Sequence, residues 1–265
     1  MFLDRITRKP GHVGEGFPWT VPLIAGLQDL RLTAPVTFLV GENGCGKSTL
    51  LEGLAWGSEA VAAGSHALET DPTLASARRF HEGFRFSRTG RAYTRLFIRA
   101  EDVFGFTGRV TADMAAMRDG AVELGRTLKP GIGRERAVGL MLGQAGALAA
   151  AYGANPDARS HGETFLHLLQ TRLRPDGLYF LDEPETPLSP SRVLALIMLI
   201  QEKVADGCQF VIATHSPILL ALPEAVILHA EGGKLVASDW DDLEHVRVVR
   251  AFLNDPTSVL RRLGR

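Results

Sequence analysis

An α/β fold with a mostly parallel central sheet is predicted by three observations. The segment Gly41-Glu42-Asn43-Gly44-Cys45-Gly46-Lys47-Ser48-Thr49 fits the phosphate-loop pattern G-x-x-x-x-G-K-[ST] at every position. An apolar run, Val36-Thr37-Phe38-Leu39-Val40, enters that loop, and Leu50-Leu51-Glu52-Gly53-Leu54-Ala55 leaves it with helical spacing, giving strand, loop and helix. Two further runs, Leu178-Tyr179-Phe180-Leu181 and Phe210-Val211-Ile212-Ala213, are apolar without interruption, as strands covered on both faces of a parallel sheet are.

The bulk properties are those of a globular chain. Its 265 residues are 45% hydrophobic and 22% charged, enough to bury a core. The formal net charge of −1 gives no global electrostatic attraction to nucleic acid. The longest apolar helix candidate, Val193 to Ile200, is too short to span a bilayer, so no membrane insertion is expected. The start, Met1-Phe2-Leu3-Asp4-Arg5, has no apolar core of a signal peptide. Cys45 and Cys208 form neither a metal pattern nor a disulfide framework. A cytoplasmic protein is the expectation. Cys45 stands in a loop at a helix N-terminus, a setting that can make a thiol reactive; a redox-sensitive site is one reading and tolerance of a small residue the other.

Residues 1–35 are punctuated by Pro10, Gly11, Gly14, Gly16, Pro18 and Pro22, which predicts irregular structure with one or two short strands. Phe17 or Trp19 could stack on an adenine ring or simply be packed. Phosphate chemistry explains the loop that follows. Gly41, Gly44 and Gly46 let the backbone wrap closely enough for Glu42, Asn43, Cys45 and their neighbours to aim N–H groups at phosphate oxygens, and the helix beginning near Lys47 adds its positive end. Lys47 is expected to reach the β- and γ-phosphates of a nucleotide and Ser48, followed by Thr49, to ligate Mg²⁺.

Beyond the first helix, Phe84-Arg85-Phe86 and Arg95-Leu96-Phe97-Ile98-Arg99-Ala100 alternate around a turn near Thr89-Gly90, which predicts a β-hairpin. Seven arginines lie here, Arg78, Arg79, Arg85, Arg88, Arg91, Arg95 and Arg99, and those at 85, 91, 95 and 99 could share a face. The functional reading is an anionic partner such as DNA or RNA; the plainer one is a salt-bridged face. Residues 111–130 read as helix ending before Pro130, and 131–157 are rich in glycine and alanine without assignable period.

Ser160-His161-Gly162-Glu163 precedes a helix from Thr164 to Leu173, and serine with an acid three positions on is also a capping box. Leu178 to Glu183 is an apolar strand ending in carboxylates. Its carboxyl end is where ligands bind in open α/β sheets, so Asp182 is expected to hold Mg²⁺ and Glu183 to orient or deprotonate the attacking water. Ser189-Pro190 reads as N-cap and first turn of a helix running to about Val204. The strand Gln209 to Ala213 closes on Thr214-His215-Ser216-Pro217, which places His215 to face the γ-phosphate as a sensor, the alternative being a hydrogen-bonded structural histidine. Ala225 to Ala230 and Lys234 to Ser238, joined at Gly232-Gly233, read as a hairpin, and Asp241 to Leu253 as an amphipathic helix.

Taken together, the order of motifs resembles the ATP-binding cassette (ABC) superfamily of ATPases. Gly41 to Thr49 stands as its Walker A segment, Ser160 to Glu163 at its signature, Leu178 to Glu183 as Walker B, Leu188-Ser189-Pro190 as the D-loop and Thr214-His215-Ser216 as the switch histidine. Within it, Leu-Asp-Glu-Pro-Glu and Ala-Thr-His-Ser-Pro look most like small stand-alone AAA-type or ABC-like ATPases, relatives of the SMC and RecF group.

The resemblance implies a P-loop NTPase fold, hydrolysis of ATP with Mg²⁺, and an ATP-dependent head-to-tail homodimer. In that dimer, nucleotide on Lys47 and Ser48 of one subunit is capped by Ser160 and Gly162 of the other. Catalysis would fall to Glu183, His215 and Lys47. His161 and Glu163 depart from the transporter signature, and Glu101 is a weak candidate for the glutamine-loop position. The domain expectation is one ATPase domain over 1–265, its core formed by 1–56 and 158–265, with 57–157 an inserted lobe of β-hairpin and helices. Alternatives are the ATP-binding subunit of a transporter with a membrane permease and a nucleic-acid-associated repair or defence ATPase.

Overall fold

The computed structural model of the chain describes residues 1–62, 75–153 and 161–263. Its elements begin with β1 (Leu3–Arg8), α1 (Pro22–Gly26), β2 (Asp29–Arg31), β3 (Val36–Val40), α2 (Lys47–Gly57) and β4 (Val61–Ala62). The middle of the chain supplies α3 (Ala75–Gly83), β5 (Phe84–Arg88), β6 (Thr94–Arg99), α4 (Ala100–Thr127) and α5 (Ile132–Tyr152). Then come α6 (His161–Arg172), β7 (Gly177–Asp182), α7 (Pro190–Ala205), β8 (Gln209–Ala213), β9 (Val226–Glu231), β10 (Lys234–Ala237), α8 (Glu244–Asn254) and α9 (Pro256–Leu263).

A seven-stranded sheet in the order β10-β9-β3-β8-β7-β6-β4 carries the fold, and each of its pairings is parallel except β9 with β10. Because β3, β7 and β8 are buried at every position, both faces must be covered, and alternation along each strand feeds two separate cores. Phe38, Tyr179, Leu181 and Ile212 pack with Phe165, Leu169, Leu196 and Ile200 of α6 and α7. Leu39, Phe180 and Val211 pack on the opposite face with Leu50, Leu51 and Leu54 of α2. That second core continues through Phe80 and Phe84 into a small antiparallel sheet, β2-β1-β5, where it takes in Leu3 and Ile6. The C-terminal ends of β3, β7 and β8 thus come to one edge.

Two expectations for the middle region change. Phe84–Arg88 and Thr94–Arg99 do not pair as a hairpin: β5 pairs antiparallel with β1, while β6 joins the central sheet parallel to β7. The reason lies in burial. Leu96, Phe97 and Ile98 are buried consecutively, which suits a strand covered on both faces and not the one-sided strand that period-two reading assumes. The central sheet therefore includes residues from 57–157. The unassigned stretch after 130 is mostly α5, which packs along α4, and both helices contact α6. A helical period was hidden because α5 is apolar on several sides and leaves Leu140 and Leu142 exposed.

The β9–β10 hairpin and the helix expected near 241–253 form as read, the latter as Glu244–Asn254. Among the described residues, no helix is long and apolar enough to cross a membrane.

Candidate functional site

Chain geometry first shapes the phosphate loop. Gly44 and Gly46 have φ of 79° and 107°, in the left-handed region that side chains avoid. At Gly46 space is also lacking, since a Cβ there would meet Val21 Cγ1 at 2.4 Å. Lys47, the first residue of α2, is buried and its ammonium folds back over the loop, donating to the carbonyls of Gly41 and Glu42 at 2.9 Å each. The loop holds its cation in reserve by its own backbone oxygens. A phosphate arriving here would compete with those two carbonyls and offer a full negative charge in exchange.

Ser48 lies one residue further on, and its hydroxyl donates to Asp182 Oδ1 at 3.2 Å. Asp182 ends β7, where burial pushes its carboxyl up to about 6; Glu183 and Glu101 push the same way, while the Ser48 hydrogen bond and Arg99 oppose them. Ser48, Asp182, Glu183, Glu101, Arg99 and Thr186 line one cavity of about 220 Å³. This hard-oxygen donor set fits Mg²⁺, which takes one or two protein oxygens and completes its shell with water and phosphate. Among the described residues there is no group of three or more His, Cys, Asp or Glu that would cage a metal by protein alone.

Glu183 follows Asp182 with φ of 45°, an uncommon conformation for a residue with a side chain. The bend is held by a bond from its N–H to the Ala213 carbonyl at 2.9 Å, and it presents the side chain to solvent at the cavity. His215 sits two residues past the end of β8, the strand lying between β3 and β7. Together with Gly41 to Cys45 it lines a cleft of about 800 Å³. Burial holds its imidazole below the ordinary histidine pKa, with the Lys47 charge acting the same way and Glu183 and Glu185 opposing. Its Nε2 is buried without a hydrogen-bond partner among the described residues.

Ser160 lies outside the described residues. Gly162 is packed tightly within its own chain, where a Cβ would come within 2.8 Å of the Pro187 carbonyl and 2.9 Å of Arg192 Nη1. Glu163 pairs with Arg192 at 2.6 Å, which ties the start of α6 to that of α7. Trp19 is buried against His12 and Phe84, so it is no adenine platform, and exposed Phe17 does not line the main cleft. Glu101 does reach the Ser48–Asp182 cavity.

The arginines do not form one face. Arg85 is on the small sheet, whereas Arg95 and Arg99 are on the central one and pair with Glu59 and Glu52. Arg88 also approaches Glu59, at 3.7 Å, and Arg78 pairs with Glu82 at 3.5 Å.

Sequence reading missed Glu185, whose carboxylate binds the Thr214–His215 turn, and the contribution of α8, which brings Glu244, His245 and Val248 to the main cleft. The acid at 185 was visible in the Asp-Glu-Pro-Glu run; its partner 30 positions away was not.

Two family models match parts of the chain. A family model described as "AAA domain" matches residues 23–112. A second, described as "AAA domain, putative AbiEii toxin, Type IV TA system", matches residues 150–221. No curated protein matches the chain. Among solved structures, a nucleotide-free ATP-binding cassette from an ABC transporter aligns over 98% of this chain and 98% of that one, at 16% identity and a TM-score of 0.48. The SMC head domain from Thermotoga maritima aligns over 90% of this chain and 100% of that one, at 15% identity and a TM-score of 0.41.

Proposed function

We propose that this chain, an ABC/AAA-type P-loop ATPase by its motifs and its two AAA-domain matches, hydrolyses ATP with Mg²⁺ and uses the nucleotide to gate a homodimer. The observation that carries the reading is the Ser48–Asp182 contact at 3.2 Å, at the edge where Lys47 also waits. A loop matching by accident would have no reason to meet a buried acid at the end of another strand.

The roles follow from chemistry. Backbone N–H groups of Gly41 to Ser48 cradle the phosphates, and Lys47 exchanges its two carbonyls for β- and γ-phosphate oxygens. Ser48 and Asp182 would hold Mg²⁺, which when bound neutralises phosphate charge. Glu183 orients or deprotonates the water, and neutral His215 donates toward the γ-phosphate, where its unpartnered nitrogen has something to gain. Ser160 and Gly162 cap the nucleotide of a second copy, the chain acting as one ATPase unit with the α4–α5 pair as an attached lobe.

The pairing of Arg95 and Arg99 with acids removes the main support for a nucleic-acid face. No observation favours a permease.

Phosphate release from ATP with and without Mg²⁺, measured beside the Glu183→Gln variant, tests the reading. Turnover that needs Mg²⁺ and is lost in the variant supports it. Absence of turnover in the wild type, or turnover that survives Glu183→Gln, sinks the hydrolytic part. A solution mass that does not rise with ATP in Glu183→Gln sinks the dimer.

A further inference from the structure

One carboxylate ties together the turns that follow β7 and β8. Glu185, three residues beyond Asp182, directs Oε1 at the end of β8. There it accepts two hydrogen bonds, from the Thr214 hydroxyl at 2.6 Å and from the His215 backbone N–H at 2.8 Å. Thr214 Oγ1 accepts in turn from the Ser216 N–H at 3.0 Å, and Ser216 Oγ accepts from the Leu219 N–H at 3.2 Å. Proton directions in this relay are fixed. A backbone N–H can only donate, so the fully buried Thr214 hydroxyl uses its lone pair on Ser216 and its proton on Glu185.

The place of this clamp gives it meaning. Register between β7 and β8 ends at Asp182 opposite Ala213, and the Glu183 N–H to Ala213 carbonyl bond is the next backbone link. Beyond it the two turns part, one carrying the proposed base and the other the proposed sensor. Glu185 spans that gap. Its own turn is rigid, because Thr186 N–H bonds the Glu183 carbonyl at 3.1 Å and Leu188 N–H bonds the Glu185 carbonyl at 2.8 Å. A shift of Glu185 therefore moves the His215 turn relative to Glu183.

We propose that Glu185 is a positioning residue for ATP hydrolysis: its carboxylate holds the His215 turn in register with Glu183, so that base and sensor address the terminal phosphate together. This rests on the hydrolytic reading above. A misplacement near 1 Å at a reacting group costs on the order of 10²-fold in rate, so a clamp is worth more to turnover than to nucleotide binding, which the phosphate loop supplies separately.

Two variants separate position from fold. Glu185→Ala removes the acceptor. Glu185→Gln keeps an oxygen for both bonds, although its amide N–H groups then sit where the buried Oε2 has no hydrogen-bond partner among the described residues, a cost to stability rather than to position. Expected for Glu185→Ala is a fall in kcat of roughly 10²-fold with KM for ATP within about threefold of wild type, largely restored in Glu185→Gln. Amide hydrogen exchange at His215, read by NMR without nucleotide, is expected to quicken at least about tenfold in Glu185→Ala and stay slow in Glu185→Gln.

Unchanged kcat in Glu185→Ala overturns the proposal, as does a loss of ATP affinity equal to the loss of rate, or a Glu185→Gln variant as defective as the alanine. Thr214→Val, which removes one of the two bonds to Glu185 together with the bond from the Ser216 N–H, serves if Glu185→Ala does not fold, and an unchanged kcat there likewise counts against the clamp. A wild type with no turnover sinks the hydrolytic reading and the positioning role with it. Unchanged exchange at His215 removes the clamp while leaving hydrolysis standing.

Discussion

The hydroxyl of Ser48, in the first turn of the helix that follows β3, donates to the carboxylate of Asp182 at the end of β7 at 3.2 Å, across 134 positions of chain, although β3 and β7 do not pair with each other. Strand β8 lies between them, so the contact exists because β3 and β7 end level at one edge of a parallel sheet. What the contact contains is a buried acid held with less stabilisation than it has in water. Such a group weakens the fold and readies a cation site.

Asp182→Asn is therefore expected to stabilise the nucleotide-free chain. The folded carboxyl titrates near 6 against an ordinary 3.8, so the folded state binds the proton more tightly. Stability is then lost as pH rises from about 4 through about 6, and the full cost applies above that. At pH 7.5 in EDTA the variant should gain on the order of 3 kcal/mol by chemical denaturation, the cost of holding the buried carboxyl ionised. The gain should vanish near pH 4. Equal stability at pH 7.5 means that the acid carries no burial cost.

Lys47→Ala should lose nucleotide affinity by roughly 10²-fold, the worth of one or two charge-assisted bonds to phosphate. Calorimetric titration with ATP measures it. An affinity equal to wild type removes Lys47 from the phosphate site. Stability should be read beside it, because the bond to the Gly41 carbonyl is buried and only Glu42 is exposed.

Glu183→Gln should bind ATP as wild type does and lose hydrolysis by about 10²- to 10⁴-fold, the range for a general base. Solution mass at several protein concentrations then reads the switch. A shift to dimer with ATP and Mg²⁺ alone is the expected outcome; a mass independent of nucleotide means that Ser160 and Gly162 do not meet a neighbour's ATP.

Arg99→Ala should destabilise the chain by about 1.5–3 kcal/mol, the worth of a hydrogen bond between charged groups at a mostly buried site. Arg85→Ala, at an exposed position on the small sheet, should fall within about 0.5 kcal/mol of wild type. Thermal melts of the two variants decide. A negligible effect at Arg99 would mean that the pair is not formed in solution. If Arg95→Ala abolishes salt-sensitive DNA binding, the anionic-partner reading returns.

Motifs were legible because their chemistry is local. A phosphate loop needs glycine at fixed intervals and a lysine at the helix start, and Gly44, Gly46 and Lys47 show this without any partner in space. An acid at the end of an apolar strand is likewise readable, as Asp182 was. Period failed at β6, where three consecutive buried residues look like neither a one-sided strand nor a helix. At α5 it failed because the helix is apolar on more than one side.

By itself the sequence marked the phosphate-loop pattern of Gly41 to Thr49 and the interior strands β3, β7 and β8, because glycine spacing and burial on both faces are written in neighbouring residues. Only the tertiary structure decided which distant groups meet. It set Ser48 against Asp182, Arg95 against Glu59, and Glu185 beneath the turn of His215. Those pairings depend on strand order, and strand order follows from long connections that close only when the two cores pack.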